Sequence, residues 1–276
     1  MRQTRILIWA MAAFVLVIGL LGGGSTPPTV QAASFTVTES DGADWWMSIF
    51  GTAPGTYGFA TPTYGGSTGV GAFVTEITSG GQKVILGRIN YHNVPLSNLT
   101  SITYDTYYDS VSGSMGTIRQ FYVNIYVDRD GDGIYDERLD FAPEVHSGVA
   151  VMADTWQTWT IDGTTEVNGN VSGLTTLDAY RTAWPNAQLN AFSNVFDQAI
   201  RFNMGDTAAT YDGFAGAIDN IVLNIGGVTD TYDFEPTPTG GPVENINTGI
   251  RYATIQDAIN ASQTLNGHTL RADPGT

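Results

Sequence analysis

The 276-residue chain contains no cysteine, so it has neither a disulfide framework nor a thiolate metal site. It holds a single lysine, Lys83, and only 14% of its residues are charged. Three histidines, His92, His146 and His268, stand far apart in turn-like segments and lack the clustered spacing of a zinc site. The glycine-rich stretches lack the lysine of a phosphate-binding loop. These gaps leave no candidate catalytic residue, and a non-enzymatic chain is expected.

What charge there is has one dominant sign. The 27 acidic side chains outnumber 11 basic ones, for a formal charge of −16. That balance disfavours nucleic acid and anionic lipid as partners and suits divalent cations. The 33 glycines, 13 tyrosines, 12 phenylalanines and 6 tryptophans describe tight turns joining aromatic strands.

The first residues read as an export leader. Arg2 and Arg5 precede an apolar run from Ile6 to Leu21, then Gly22 to Gly24 and the small-x-small triplet Val30-Gln31-Ala32. Residues 1–32 are expected to be a signal peptide cut after Ala32 or Ala33. The product is then secreted or held at the cell surface, with no stable membrane insertion. An uncleaved anchor helix is the alternative, since the run approaches the length needed to span a bilayer.

Past the leader, short strand patterns alternate with turns. The clearest is Phe121 to Val127, with Phe121, Val123, Ile125 and Val127 on one face and Tyr122, Asn124 and Tyr126 on the other. Further strands are read near residues 45–50, 70–75, 83–87, 102–107, 156–161, 199–204, 217–225 and 231–235. Thr175 to Leu189 reads as a helix that Pro185 ends or kinks. The expected fold is all-β, an antiparallel, jelly-roll-like sandwich over residues 33–235. Pro236 to Pro242 reads as a linker, followed by a helical pattern over Thr254–Ala261.

The sharpest chemical signal is Asp128-Arg129-Asp130-Gly131-Asp132-Gly133-Ile134-Tyr135-Asp136. Carboxylates at alternate loop positions can converge on one hard cation, and Gly133 permits the sharp turn that places the Ile134 carbonyl as a further ligand. Asp128, Asp130, Asp132, Ile134 and Asp136 are therefore the candidate Ca2+ ligands. The twelfth position, where an EF-hand has a bidentate glutamate, is Leu139, and the flanks are strands. The segment resembles the calcium loops of dockerin and thrombospondin type 3 repeats without being an EF-hand. A solvated acidic turn is the alternative.

Gly65-Gly66-Ser67, the Tyr126–Gly133 hairpin, Asp154 to Trp159, and Asp212 to Val222 together resemble bacterial extracellular jelly-roll modules of the laminin-G-like or carbohydrate-binding-module-like kind. That resemblance implies an extracellular polysaccharide as partner. Trp45, Trp46, Tyr57, Trp156 and Trp159 are the glycan-binding candidates, because aromatic rings offer platforms to the C–H faces of sugars. Core packing is the competing role for Trp156 and Trp159.

Tyr252 to Asn260, followed by Leu265 to Thr276, resembles the opening of a pectin-lyase-like right-handed parallel β-helix. On that resemblance residues 243–276 would be a cap and first coil, truncated before the stack that such a solenoid requires. Three functions remain open from sequence: a glycan-binding or adhesive module, a calcium-rigidified structural spacer, and the accessory domain of a polysaccharide lyase or glycoside hydrolase whose β-helix is missing.

Overall fold

A computed structural model describes residues 32–38, 45–50, 56–89, 91–190, 198–206, 209–236 and 241–272. The expected leader, apart from Ala32, and the middle of the expected linker lie outside these residues.

In chain order the strands begin with β1 (Ala33–Val37), β2 (Trp45–Phe50), β3 (Thr56–Ala60), β4 (Ala72–Ile77), β5 (Lys83–Ile89), β6 (Val94–Pro95) and β7 (Leu99–Tyr108). A hairpin follows, β8 (Tyr122–Asp128) and β9 (Glu137–Phe141), then the short helix α1 (Pro143–His146). Next come β10 (Gln157–Asp162), β11 (Glu166–Gly169), β12 (Gly173–Thr176), helix α2 (Leu177–Ala183) and β13 (Gln188–Leu189). The last strands of the sandwich are β14 (Gln198–Gly205), β15 (Phe214–Ile225) and β16 (Val228–Phe234).

These strands form two sheets. In the seven-stranded sheet the long β15 is central: β7 flanks one side along most of its length, and β10 lies beyond β7. On the other side β15 pairs first with β4 and then with β16. The nine-stranded sheet runs β12-β11-β9-β8-β14-β5-β2, with β13 and β6 attached beside β8. Pairing is antiparallel except between β1 and β16.

The sheets meet through aromatic rings. Tyr104 of β7 lies edge-on to Phe202 of β14 at 5.3 Å, and Trp45 of β2 lies edge-on to Phe234 of β16 at 5.2 Å. Phe73, Phe121, Phe141, Trp159 and Phe214 fill the same core, and each such buried side chain contributes about 1.5–3 kcal/mol. The result is the all-β, largely antiparallel, jelly-roll-like architecture expected from the pattern of short strands.

The helix expected over Thr175–Leu189 is shorter than the pattern suggested. Thr176 caps it by accepting a bond from the Ala179 amide at 3.2 Å, and it stops at Trp184 because the residue before Pro185 disfavours helical geometry.

The C-terminal segment corrects one expectation. β17 (Val243–Asn245), β18 (Arg251–Tyr252), α3 (Ile255–Asn260) and β19 (Leu270–Ala272) form a small sheet around Val243, Tyr252 and Ala258. Both β18 and β19 pair antiparallel with the central β17. Successive coils of a parallel β-helix would align their strands in one direction, and no such coil occurs among the described residues. Hydrogen bonds close this segment onto β1: Ser262 Oγ donates to Thr36 Oγ1 at 2.6 Å, and Gln263 Nε2 donates to the Thr36 carbonyl at 3.3 Å.

Candidate ligand face and acidic loop

Alternation along β8 turns Val123, Ile125 and Val127 to the core and Tyr122, Asn124 and Tyr126 to the outer face of the nine-stranded sheet. Register then fixes their neighbours. Trp46, Gly87, Arg201, Asn124 and Asp140 lie in one row across β2, β5, β14, β8 and β9. Ser48, Ile85, Asn203 and Tyr122 form the adjacent row. Gly87, with no side chain, makes room in the first row for the Gln198 side chain, which lies over it between Trp46 and Arg201.

A chain of polar contacts runs through this face. Asn203 Nδ2 donates to Asn124 Oδ1 at 3.0 Å, Asn124 Nδ2 donates to Asp140 Oδ1 at 2.6 Å, and Arg138 grips both oxygens of Asp140 at 2.5 and 2.6 Å. Arg201 lies over the Tyr126 ring at 4.5 Å and donates to its hydroxyl at 3.2 Å. Lys83 lies over Tyr122 at 5.3 Å, and the Tyr122 hydroxyl donates to the Gly205 carbonyl. Asn124, Tyr126, Arg201 and Asn203 are buried, whereas Tyr122, Arg138 and Asp140 are half-buried. Asn203 Oδ1 is a buried acceptor with no hydrogen-bond partner among the described residues. Unmet acceptors of this kind are costly unless something donates to them.

The acidic loop joins β8 to β9 at one end of this face. Oxygens of Asp128, Asp130 and Asp136 all lie within 4.8 Å of one another, so the three carboxylates can coordinate a divalent ion. Asp128 organises the turn: its Oδ1 accepts from the Asp130 and Gly131 amides and its Oδ2 from Gly133, at 2.7 to 3.2 Å. Those bonds need a backbone that doubles back, which Gly131 and Gly133 supply at φ of 82° and 86°. The Asp136 carboxylate accepts from the Arg129 amide at 2.8 Å. Asp132, exposed, is turned to the Ile134 amide and stands outside the group of three. A carboxylate has about four acceptor sites, so the amide bonds to Asp128 leave room for a cation.

Beneath the loop, buried Glu137 ties the hairpin to its surroundings. It accepts from the Val171 and Ser172 amides and from the Tyr180 hydroxyl, and faces Arg129 at 3.8 Å. Arg129 also lies over the Trp184 ring at 4.6 Å.

The structure separates the five aromatic candidates. Trp45 and Trp159 are core residues, 4% and 2% exposed, and their rings offer no platform to a ligand. Trp159 instead donates through Nε1 to Thr106 Oγ1 at 2.6 Å. Trp46, one residue after Trp45 on the same strand, takes the opposite face and is half-buried beside the row of Arg201 and Asn124. Trp156 packs with Tyr64 and Tyr107 on the other sheet, where the two tyrosines stack at 3.9 Å. Tyr57, 37% exposed, rests against Phe73 at the β3 edge. Sequence reasoning missed Arg138, Asp140, Arg201 and Asn203, although the polar side of the β8 alternation was the available signal.

A second polar cluster pins a loop. Gly65-Gly66-Ser67-Thr68-Gly69 has the Gly-x-Ser-x-Gly spacing of a nucleophile elbow, yet it forms turns and bends and not a strand-to-helix elbow. Ser67 Oγ donates to Asp105, and the Ser67 and Thr68 amides donate to buried Asp219 at 3.0 Å each. The Phe234 amide donates to Asp219 Oδ1 at 2.9 Å, and the Asn220 amide donates to the same carboxyl. Burial, with a smaller contribution from nearby Asp233, nonetheless outweighs the backbone donors and raises the Asp219 carboxyl to about 7.

No protein-family model and no curated protein sequence matches the chain. Among solved structures it is similar to the family 11 carbohydrate-binding module of the cellulosomal cellulase Lic26A-Cel5E of Clostridium thermocellum, with 12% identity and a TM-score of 0.39. That alignment covers 67% of this chain and 89% of the other. The C. thermocellum family 11 module in complex with a β-1,3-1,4-mixed-linked tetrasaccharide aligns similarly, with 12% identity, a TM-score of 0.38 and coverage of 67% and 91%. The enzymatically active domain of bacteriophage CBA120 tailspike protein 4 aligns at 13% identity and a TM-score of 0.34, over 66% of this chain and 19% of that one. At these scores the functional reading stands on the chain's own geometry.

Proposed function

We propose that this chain is an exported, non-catalytic module that binds a polysaccharide along the outer face of its nine-stranded sheet, with the acidic loop holding a structural Ca2+. One observation carries the reading: the half-buried rings of Trp46 and Tyr122 share the outer face with the half-buried polar side chains of Arg138 and Asp140. A pyranose needs both kinds of group, an apolar ring for its C–H side and polar side chains for its hydroxyls.

The architecture of the reading follows the sequence boundaries. Residues 1–32 are removed on export, 33–235 carry the ligand face, and 236–242 lead into the segment 243–276. The mature protein acts outside the cell or at its surface. Asp128, Asp130 and Asp136 would hold the cation, with Asp132 and the Ile134 carbonyl turning in to complete the oxygen-rich shell that calcium prefers. When bound, the ion neutralises the mutual repulsion of these carboxylates and fixes the hairpin end. Asp140, gripped at both oxygens by Arg138, serves as a link in the hydrogen-bonded chain and not as an acid or base.

The reading is tested by binding of the mature chain to a panel of neutral and acidic polysaccharides in calcium. Saturable binding weakened at least tenfold by Trp46→Ala or Tyr122→Ala, with folding retained, supports it. Absence of binding to every polysaccharide by a folded, calcium-loaded protein overturns it in favour of a structural spacer.

A further inference from the structure

The aromatic cluster of the seven-stranded sheet stands beside a groove on that sheet's own outer side. Along β4, Phe73 and Ile77 turn to the core, and exposed Glu76 turns outward. Register sets Glu76 opposite Ala215 of β15, and the Asp109 amide, just past β7, donates to the Ala215 carbonyl at 2.9 Å. The small Ala215 side chain therefore lies low between two carboxylates. Two adjoining hollows, of about 310 and 100 Å³, share Glu76, Ser112 and Ala215 in their walls.

The two hollows offer different chemistry. Tyr64 lines the smaller one, held flat on Tyr107 at 3.9 Å and 9°, with Trp156 edge-on at 6.1 Å. A ring fixed in this way loses little freedom when a ligand settles on it. Asp212 lines the larger one, and its Oδ1 is buried with no donor among the described residues. Asp109, in the smaller hollow, is already oriented. It accepts from the Val111 amide at 2.9 Å and the Ser112 hydroxyl at 2.8 Å, which leaves acceptor sites open. The walls are laced together too: the Gly213 amide donates to the Ile77 carbonyl and the Ser114 amide to the Gly213 carbonyl, both at 2.8 Å. Among the described residues no lysine or arginine lines either hollow.

We infer that this groove is a second glycan site, and that it takes an uncharged glycan whose hydroxyls donate to Glu76, Asp109 and Asp212 while a C–H face rests on Tyr64. The inference shares the ligand class of the reading above and not its surface. Ionised carboxylates are strong acceptors, and a sugar ring carries hydroxyls at its rim and C–H groups on its faces. A uronate or sulfate would meet three carboxylates and no cation, so the groove discriminates against anionic polymers. Access is open: Glu76 and Ser112 are exposed, and Tyr64, Asp109 and Asp212 are half-buried. With sites on opposite sheets, one chain can bridge two polymer strands.

The test is titration calorimetry of the calcium-loaded mature chain with neutral gluco-, xylo- and manno-oligosaccharides. At least one of them should occupy two sites per chain. Trp46→Ala should leave one site, and in that background Glu76→Ala and Asp212→Asn should each weaken binding at least fivefold. Tyr64→Phe, which keeps the stacked ring, should bind as its parent does, and Tyr64→Ala should not. The melting temperature of each variant separates lost binding from lost folding. Binding in the Trp46→Ala background that ignores Glu76 and Asp212 overturns the inference. So does tighter binding of an oligogalacturonide or a chitosan oligomer than of every neutral sugar. A single site abolished by Trp46→Ala overturns it as well, while the polysaccharide reading stands. A single site that follows Glu76 and Asp212 and ignores Trp46 and Tyr122 supports the groove and removes the ligand from the nine-stranded sheet. If no glycan binds the folded chain, both fail.

Discussion

Tyr135, the penultimate residue of the acidic loop, lies 5.6 Å from Tyr126 between ring centroids, so the acidic end of the β8–β9 hairpin packs directly against the outer face of the nine-stranded sheet. Ordering of the loop by a cation therefore also positions a ring at the edge of that face. Calcium is expected to raise the melting temperature of the mature chain. An ion at a hundred times its dissociation constant adds about 2.7 kcal/mol. Asp130→Asn should abolish the shift while leaving the calcium-free melting temperature nearly unchanged, because Asp130 is exposed. Asp128→Asn should lower both, since Asp128 also holds three loop amides. Tyr135→Ala should weaken glycan binding by about 0.5–1.5 kcal/mol, the usual worth of an aromatic pair. Calorimetry with and without chelator checks this, and a glycan affinity indifferent to both calcium and Tyr135 would break the link.

The tryptophans should divide by face. Trp159→Ala and Trp45→Ala empty core sites, and each is expected to cost about 3–5 kcal/mol of stability. Trp46→Ala removes a half-buried ring from the outer face and should cost far less stability while reducing glycan affinity. Denaturant unfolding and binding measured on the same three variants separate the effects. A Trp46→Ala protein that binds normally would move the ligand away from the β2 end of the row.

Glu137 and Tyr180 form a buried contact between the hairpin and α2, with 3.0 Å between hydroxyl and carboxylate. Glu137→Ala would leave two amides and a hydroxyl without their acceptor, and bonds to a charged group are worth about 1.5–3 kcal/mol each. A loss of about 3 kcal/mol or more is expected. Tyr180→Phe alone should cost less, because Glu137 keeps its amide donors. A double-mutant cycle with Glu137→Gln should give a coupling of about 1 kcal/mol or more. Strict additivity would show that the contact is not made in solution.

The fold was legible where alternation was strong. Phe121 to Val127 announced its strand and its hairpin, and the aspartates with Gly131 and Gly133 announced the loop between β8 and β9. The face was legible only in part. Tyr122, Asn124 and Tyr126 could be assigned to one side of β8, but Arg201 and Asn203 come from β14, some 75 residues later, and only the register of that pairing places them alongside. Trp45 and Trp46 show the same limit. Adjacent residues on a strand must face opposite ways, yet which one faces the core depends on the partner strand. The C-terminal motif misled because a short helix followed by a strand fits a β-helix opening and equally fits the antiparallel arrangement around β17.

Asp219 sits where β15 exchanges β4 for β16, and its burial makes the stability of that junction depend on pH. Its carboxyl is raised to about 7 from an ordinary value of 3.8. Because the folded pKa is the higher one, the folded state holds a proton that the unfolded chain has released. The stabilising contribution is therefore complete below about pH 4, falls by about 1.4 kcal/mol per pH unit between the two values, and is gone once pH has risen past 7. Asp233 and Glu235, also pushed up by burial, act in the same direction. Comparison with Asp219→Asn isolates the one group. The variant cannot ionise, so the stability difference between wild type and variant should decline steadily from pH 4 to pH 7 and then level off. Urea unfolding at several pH values would reveal this. A difference that stays constant, or grows with pH, would mean that the backbone donors win over desolvation and that Asp219 is ionised throughout that range.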